Sequence, residues 1–417
     1  MAEQSIYQIT NRDPLHGKHI VLGVTGSISC YKAIDIASKL VQAGAHVDVA
    51  LTQSATEFIQ PLAFKAITNR QPYVNMFNLE FNDGESHVEL ARRCDAMLIA
   101  PLTANTLAKL SHGLADDFVA LTALATDKPL LVAPAMDSQM WINPATQDNV
   151  KNLTQRGVQI IGPSDGRLAS GRIGIGRLTD PARIVDELRY RLARELGDLS
   201  SIKIVVTAGG TREAIDPVRY VGNRSTGKMG YAIAEAARNR GAAVSVVTTV
   251  DRQSAVGIRD IRVETAAEML DAVQQECQTA DVLVMAGAVA DYRPMNVADQ
   301  KIKKAESDRS GMTIQLEQTT DIIASIDRQQ KTGRLVKVAF AAETQDLIDN
   351  ARRKIEAKGA DFIVANDVSA ADSGFAVDTN QVTILDASGL EESLPVLSKY
   401  EVANIILSKA LPLIESD

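Results

Sequence analysis

Short, almost purely apolar runs alternate with amphipathic segments along this chain, and the alternation begins twice. The first series opens with HIVLGVT at His19, a Gly/Ser turn, CYKAIDIASKLVQ and HVDVALT. The second opens with SIKIVVTAGG at Ser201 and continues with the helical pattern KMGYAIAEAARNR, which we expect Gly241 to cap, and AAVSVVTTV. Fully apolar strands joined by helices are typical of parallel sheets buried on both faces. The sequence therefore predicts an α/β protein with two doubly wound, Rossmann-like parallel-sheet domains.

A charged helical pattern at 182–200 separates the two series. We therefore predict one domain over residues 1–199 and a second over residues 200–417.

Composition limits the classes of partner. The net charge of −8 argues against a nucleic-acid or membrane-surface binder, since these carry a basic excess. The polar N-terminal segment lacks the apolar core of a signal peptide, and no stretch stays apolar long enough to span a bilayer. Cys30, Cys94 and Cys277 are far apart and form no C-x-x-C pair, which indicates neither disulfides nor a zinc site. A cytoplasmic protein is expected.

Ligands of open parallel sheets bind beyond the carboxyl ends of the strands. Three such loops in the first half, GVTGSISCYK, ALTQSA and PLTANT, carry glycine, hydroxyl or amide groups. Tight turns and helix caps explain each loop taken alone. Side by side, they favour a mononucleotide phosphate such as that of FMN. The candidate residues are Gly26, Ser27, Thr52, Ser54, Thr103, Asn105 and Thr106.

Other segments of the first half offer further candidates. His87 is a possible catalytic base, although a single histidine is more often a surface or helix-start residue. PAMDSQMW places Met136 and Asp137 after an apolar strand, beside the only tryptophan, Trp141. The glycine-rich segment 166–177 is too long for a turn and is suited to a lid.

In the second half, GNRSTGKMG resembles a P-loop, but Met229 stands where a P-loop needs Ser or Thr, and no strand comes immediately before it. The loop from Gly209 to Gly230 still carries Arg212, Arg219, Arg224 and Lys228, which favours anion capture over a merely solvated basic loop. MAGAVADYRP adds a possible metal-linked carboxylate at Asp291.

The first half resembles the flavin-containing cysteine decarboxylases, which include phosphopantothenoylcysteine decarboxylase and the lantibiotic peptide decarboxylases. PLTANT is similar to the family's P-A-S-A-N-T, PAMDSQMW to P-x-M-N-x-x-M-W, and LASG to the clamp segment L-A-C-G. The resemblance implies FMN as electron acceptor, with Pro101 and Ala104 joining the FMN residues. It also implies His87 as the base, and Met136 and Asp137 as substrate-binding residues. Two positions depart from the pattern: Asp137 replaces an Asn, and Ser170 replaces the cysteine that many members have as catalytic proton donor.

The second half resembles the CTP-dependent bacterial phosphopantothenate–cysteine ligases, through AGGTRE, IDPVR, GNRS, GKMG, VADYRP, KIKK, FAAET and VAND in order. The resemblance implies that Lys301 contacts the triphosphate, that Asn223 holds an acyl-cytidylate with Arg219 nearby, and that Mg²⁺ takes part. The implied CTP-binding residues are Met285, Ala286, Gly287, Asp291, Lys301, Thr320, Asp321, Ile322, Ile323, Phe340, Lys354 and Lys358.

The fusion of the two halves resembles the bifunctional family of coenzyme A biosynthesis. It implies coupling of phosphopantothenate to cysteine with CTP, then decarboxylation to phosphopantetheine, in a homo-oligomer with trimeric flavin domains and dimeric ligase domains. A second interpretation, based on Asp137 and Ser170, is a CTP-dependent ligase with a structural, impaired flavoprotein half. A non-enzymatic flavin-binding protein and an NAD(P)-binding oxidoreductase are alternatives of other classes; the latter lacks its expected G-x-G-x-x-G loop.

Overall fold

The computed structural model describes residues 12–76, 87–303, 312–327, 329–330, 333–343, 355–367, 378–386, 389 and 391–414. The chain divides into two compact units, one of residues 13–192 and one that contains residues 193–417. The domain boundary at residue 199 stays a prediction.

The N-terminal unit is built on a parallel sheet of five strands in the order β2-β1-β3-β4-β5. Its strands are β1 (His19–Val24), β2 (His46–Leu51), β3 (Ala96–Leu102), β4 (Leu130–Pro134), β5 (Gln159–Ile160), β6 (Ser164–Arg167) and β7 (Ile173–Arg177). The helices are α1 (Cys30–Gln42), α2 (Gln53–Thr56), α3 (Pro61–Thr68), α4 (His87–Arg93), α5 (Ala104–His112), α6 (Phe118–Ala125), α7 (Ser138–Ile142), α8 (Pro144–Gln155) and α9 (Pro181–Leu196).

Strand β1 shows why this sheet needs helices on both sides. Ile20, Leu22 and Val24 pack into a cluster with α1 and α9, whereas Val21 packs into a second cluster with α4, α5 and α6. Successive side chains of a strand point to opposite faces, so a continuously apolar strand must be covered twice. The glycine-rich segment predicted as a lid forms the antiparallel pair β6–β7.

The C-terminal unit is built on a sheet of eight strands in the order β12-β11-β8-β13-β18-β19-β21-β22. Its strands are β8 (Lys203–Ala208), β9 (Arg212–Ala214), β10 (Tyr220–Gly222), β11 (Ala243–Thr248), β12 (Ile258–Arg262), β13 (Val282–Met285), β14 (Tyr292–Pro294), β15 (Leu316–Gln318), β16 (Gln329–Gln330), β17 (Gly333–Arg334), β18 (Val336–Glu343), β19 (Phe362–Asp367), β20 (Thr379–Asn380), β21 (Val382–Asp386), β22 (Glu391–Ser393) and β23 (Leu397–Ser398). The helices are α10 (Lys228–Asn239), α11 (Ala266–Cys277), α12 (Ile322–Ser325) and α13 (Lys399–Ile414).

This second sheet is parallel from β12 to β19 and then becomes antiparallel at β21 and β22. Antiparallel neighbours do not need the crossover helix that parallel neighbours require. Helix α10 covers one face together with α13, and α11 covers the other. Helix α10 has Arg240 as its C-cap rather than Gly241, which follows with a φ of 91°. The two doubly wound sheets predicted from the sequence are thus confirmed, with an antiparallel edge added to the second.

Replacing Leu98 by Ala should destabilise the N-terminal unit. Leu98 is fully buried in β3, and removing such a side chain costs about 2–5 kcal/mol of unfolding free energy. Trp141 is the only tryptophan and lies in this unit, so denaturant unfolding followed by its fluorescence reports on the unit. Leu124→Ala, at a residue 62% exposed, is the control and should change the free energy by less than about 0.5 kcal/mol. Equal effects of the two variants would contradict the fold.

Candidate functional sites

In the N-terminal unit, the loops that follow β1, β2 and β3 are linked by hydrogen bonds at one end of the sheet. The buried Thr25 hydroxyl donates to the Pro101 carbonyl oxygen at 2.8 Å and accepts the Thr103 N–H at 2.9 Å. The hydroxyls of Thr52 and Ser54 lie 3.1 Å apart. A Cβ atom at Gly26 would come within 2.5 Å of the Ser54 Oγ, so the loops after β1 and β2 approach as closely as a glycine permits.

The hydroxyls of these loops also begin helices. Thr52 caps α2 by accepting from the Ala55 N–H, and Thr103 caps α5 by accepting from the Thr106 N–H. Asn105 is exposed on the first turn of α5, and Thr106 is buried. The structure shows the caps, and the FMN-phosphate site stays a prediction that is compatible with them, because a helix N-terminus presents further N–H groups to an anion.

A second group forms where β4 ends. Asp137 caps α7 by accepting the Gln139 N–H at 3.0 Å, and its other carboxylate oxygen accepts the Ser170 hydroxyl at 3.0 Å. The bond from Gln139, followed by that from Ser170, lowers the pKa of the Asp137 carboxyl, and the charge of Arg172 acts in the same direction. Asp137 is therefore ionised at neutral pH. The structure brings together the two positions at which this sequence departs from the decarboxylase pattern.

The β6–β7 hairpin packs closely on the chain that precedes α7. The Met136 N–H donates to the Gly176 carbonyl at 2.9 Å, and a Cβ atom at Gly174 would lie 2.6 Å from the Ser138 Oγ. Among the described residues, this buried Ser138 hydroxyl has no hydrogen-bond partner. A polar atom of this kind is typical of a place that receives a ligand or water.

His87 is the first residue of α4 and lies edge-on to the Phe118 ring, with 6.5 Å between the ring centroids. Phe118 in turn stacks on Tyr73 at 4.8 Å. The described ring contact of His87 is thus with Phe118, whereas Asp137 and Ser170 contact each other.

In the C-terminal unit, a cavity of about 710 Å³ lies at the carboxyl ends of β13 and β18. It brings together ten residues that the sequence assigned to CTP: Met285, Ala286, Gly287, Asp291, Thr320, Asp321, Ile322, Ile323, Phe340 and Lys358. Asn223 and the rest of the segment 223–229 also line it. The GNRSTGKMG loop and the VADYRP loop therefore face the same space, although more than fifty residues separate them.

Hydrogen bonds fix the cavity loops. The fully buried Thr207 accepts the Gly287 N–H at 2.8 Å, and the Asn223 side chain donates to the Val289 carbonyl at 2.8 Å. At the start of α12, Asp321 accepts the Ala324 N–H and pairs with Lys358 at 2.9 Å. These contacts hold the loops in place relative to one another around the cavity.

Two of the described residues with predicted roles, Lys301 and Arg219, are not among those that line the cavity. Lys301 is exposed, and Lys354 lies outside the described residues. Arg219 pairs with Asp216 at 3.2 Å and donates to the Ile302 carbonyl at 3.3 Å, while the Ile302 N–H donates to Asp216. Asp216 thereby fixes the backbone next to Lys301 to the loop that carries Arg219.

Sequence reasoning missed several cavity residues. Asn366, Asn380 and Lys399 come from β19, β20 and the start of α13. Asn366 stands in the VAND motif, so the motif itself was a signal for that residue. Asn380 and Lys399 lie in no motif. The pairing of β20 with β23 brings these two residues to the cavity.

No group of three or more His, Cys, Asp or Glu side chains suited to a metal ion occurs among the described residues. Asp291 and Asp321 are both cavity residues; the Asp321 carboxylate is engaged by Ala324 and Lys358, so Asp291 is the cavity carboxylate that could bind an ion together with a ligand's phosphates. No helix in the described part of the chain is long and apolar enough to cross a membrane.

Comparisons with known proteins cover nearly the whole chain. Residues 8–193 match the family model "Flavoprotein", and residues 199–413 match "DNA/pantothenate metabolism flavoprotein C-terminal domain". The coenzyme A biosynthesis bifunctional protein CoaBC of Bacillus subtilis (strain 168) is 42% identical over 398 residues, which cover 95% of this chain and 97% of that protein. CoaBC of Vibrio vulnificus (strain CMCP6) is 41% identical over 397 residues, 95% of this chain and 98% of its own. A crystal structure of a CoaBC C-terminal domain is 38% identical, covers 52% of this chain and 98% of that domain, and has a TM-score of 0.44.

Replacing Thr207 by Val should loosen the floor of the cavity. The Gly287 N–H would lose its acceptor, and a buried donor without a partner costs about 1–3 kcal/mol. Hydrogen exchange followed by mass spectrometry should show faster exchange in peptides spanning residues 285–290, by about tenfold or more. Thr207→Ser keeps the hydroxyl and is the matched control. Unchanged exchange in Thr207→Val, with β3 peptides as an internal reference, would contradict this role.

Proposed function

Because this chain belongs to the family of bifunctional coenzyme A biosynthesis proteins, we propose that its C-terminal unit makes phosphopantothenoylcysteine with CTP and its N-terminal unit decarboxylates that product to phosphopantetheine. The chain is an enzyme of coenzyme A biosynthesis with ligase and decarboxylase activities. The main support for the detailed proposal is that ten residues predicted to bind CTP line one cavity.

In the proposed ligase reaction, a carboxylate oxygen of phosphopantothenate attacks the α-phosphorus of CTP. The bond between the α-phosphorus and its bridging oxygen breaks, and pyrophosphate leaves. The cysteine amine then attacks the acyl carbon, CMP leaves, and the amine gives up a proton. Negative charge shifts to the leaving phosphates, so preorganised cations and N–H groups are what such a site needs.

The cavity supplies groups for this chemistry. Lys228 begins α10 directly after Gly227, whose φ of 72° turns the chain into the helix. The N–H groups of the first turn of α10 favour a bound anion. We assign Asn223 to the acyl intermediate, Asp291 to Mg²⁺ bound jointly with phosphate oxygens, and Lys301, with Arg219 nearby, to the triphosphate during activation. Mg²⁺ commonly binds through one or two carboxylates plus substrate phosphates, which fits this cavity.

The N-terminal unit fits FMN at the loops after β1, β2 and β3. The loops that carry Gly26 and Ser54 are in close contact, and hydroxyl groups line the same strand ends, so both loops can contribute donors to one phosphate. The bound flavin supplies the electron acceptor for oxidation of the substrate's cysteine. The protein's own part is to hold the phosphate with Gly26, Ser27, Thr52 and Ser54, and to provide His87 as base.

We assign binding of the substrate carboxylate to the neighbourhood of the Asp137–Ser170 pair. An ionised Asp137 repels a second carboxylate, but its two oxygens are already occupied by Gln139 and Ser170, and Arg172 adds a positive charge nearby. These contacts offset the repulsion in part. They support an active decarboxylase in which the proton donor is a group other than Ser170, whose hydroxyl is a far weaker acid than a thiol.

Exposed apolar side chains support homo-oligomers of both units. Ile28, Tyr31, Phe58 and Leu62 are each more than half exposed in and beside α1 and α3. In the C-terminal unit, exposed apolar residues collect at β9–β10 and β14–β15: Val218, Tyr220, Tyr292, Met295, Val297 and Leu316. We propose trimeric flavin units and dimeric ligase units in a cytoplasmic enzyme.

The direct test is to incubate the full protein with phosphopantothenate, cysteine, CTP and Mg²⁺, and to identify the products by mass spectrometry. Phosphopantetheine with CMP and pyrophosphate is the expected result, together with the visible spectrum of a bound flavin. Accumulation of phosphopantothenoylcysteine would favour an impaired flavoprotein unit, and absence of CTP consumption would refute the ligase proposal.

Two variants should separate the activities. Gly26→Ala places a Cβ against Ser54 and should abolish bound flavin and decarboxylation while leaving CTP consumption within about twofold. Asn223→Ala should lower CTP-dependent ligation by about 100-fold, as loss of one stabilising donor typically does, and should leave the flavin spectrum unchanged. Flavin absorbance and pyrophosphate release measure the two effects. Loss of both activities in either variant would contradict separate sites.

A further inference from the structure

Two lysines that begin helices lie in the ligase cavity. Lys228 is the first residue of α10, and Lys399 is the first residue of α13. The N-terminus of a helix carries partial positive charge, so a cation there is unfavourable unless an anion lies nearby. Two such cations in one cavity indicate that the cavity is built for a strongly negative ligand.

The side chain of Lys399 is enclosed by protein. The residue is only 6% exposed, and its Nζ donates to the Thr379 carbonyl oxygen at 3.0 Å. Burial is the largest cause that lowers the pKa of Lys399; the charge of Lys228 lowers it further, and that of Asp378 opposes them. A buried ammonium is costly, and lysine at a purely structural position rarely takes such a place.

Lys228 is held by an anion that a ligand can displace. Its Nζ lies 2.7 Å from the Asp378 carboxylate, and the Asp378 side chain is 89% exposed. An ion pair with such an exposed partner is weak, because water screens the attraction. A phosphate group entering the cavity would therefore compete with Asp378 for Lys228.

We propose that Lys399, together with Lys228, binds the β- and γ-phosphates of the nucleoside triphosphate and stabilises pyrophosphate as it leaves. This inference rests on the proposed ligase function. As the bond to the α-phosphorus breaks, the electron pair passes to the bridging oxygen of pyrophosphate. A desolvated cation at that end of the cavity interacts more strongly with this new charge than an exposed one would. Lys399 is thus the inner cation of the pair and Lys228 the outer one.

The test compares CTP with the two products of its cleavage, CMP and pyrophosphate. We would measure the dissociation constants of CTP, CMP and pyrophosphate, with Mg²⁺, by calorimetry on the full protein. In Lys399→Met, CTP and pyrophosphate should bind roughly 10- to 100-fold more weakly, the range for a lost hydrogen bond to a charged group, whereas CMP should change by less than about threefold.

Lys409→Met is the matched control. Lys409 lies on the same helix, pairs with Glu392 and does not line the cavity, so its replacement should leave all three dissociation constants unchanged. Lys228 is partly exposed, and Lys228→Met should give the same phosphate-selective loss even if Lys399→Met fails to fold.

A merely structural role predicts a different pattern. If Lys399→Met weakens CMP as much as CTP, or leaves CTP binding unchanged, the inference is wrong. If the unaltered protein neither binds nor consumes CTP, the ligase proposal itself fails, so the two failures are distinguishable. A retained phosphate-selective loss in both lysine variants would support the inference.

Discussion

One buried threonine hydroxyl in each unit ties the first strand to the neighbouring central strand. Thr25, directly after β1, bonds to Pro101 and Thr103 at the end of β3. Thr207, in β8, accepts from Gly287 just beyond β13. Both threonines are fully buried. A parallel sheet leaves its strand ends without ladder partners, and a buried N–H must find an acceptor. The threonine hydroxyl provides this acceptor, and it thereby fixes the start of the loop that follows the neighbouring strand.

These contacts fix the positions of the loops that we propose bind ligands. With the loop starts fixed, little space remains where the loops pass each other. A Cβ at Gly26 would clash with Ser54, and a Cβ at Gly287 would lie 3.0 Å from the Thr207 hydroxyl oxygen. Glycine at these two positions therefore lets neighbouring loops pack closely at the strand ends. A buried threonine with a closely packed glycine thus lies beside the proposed phosphate site in one unit and beside the proposed nucleotide cavity in the other.

The sequence predicted much of the fold, because both sheets depend on apolar patterning and on turns that are local in the chain. The resemblance to the CTP-dependent ligases named ten residues that line one cavity, and they meet there because strand-end loops of a parallel sheet converge on one edge. Lys399 and Asn380 could not be predicted in this way. They enter through the antiparallel pair β20–β23, whose register depends on tertiary packing. The signal that was available is a lysine at the start of a long helical pattern, where the helix dipole disfavours it.

The decarboxylase site was less predictable because its parts depend on side-chain geometry more than on strand ends. The pairing of Asp137 with Ser170 needs the β6–β7 hairpin to lie against the start of α7, a contact between segments about thirty residues apart. Taken singly, the two departures from the decarboxylase pattern suggest loss of function. Taken as a pair, each explains the other: a serine hydroxyl donates to the carboxylate that replaces the amide, and so holds an ionised Asp137 in place. A thiol, being a weaker donor, would hold that carboxylate less well, which makes the two substitutions physically coupled.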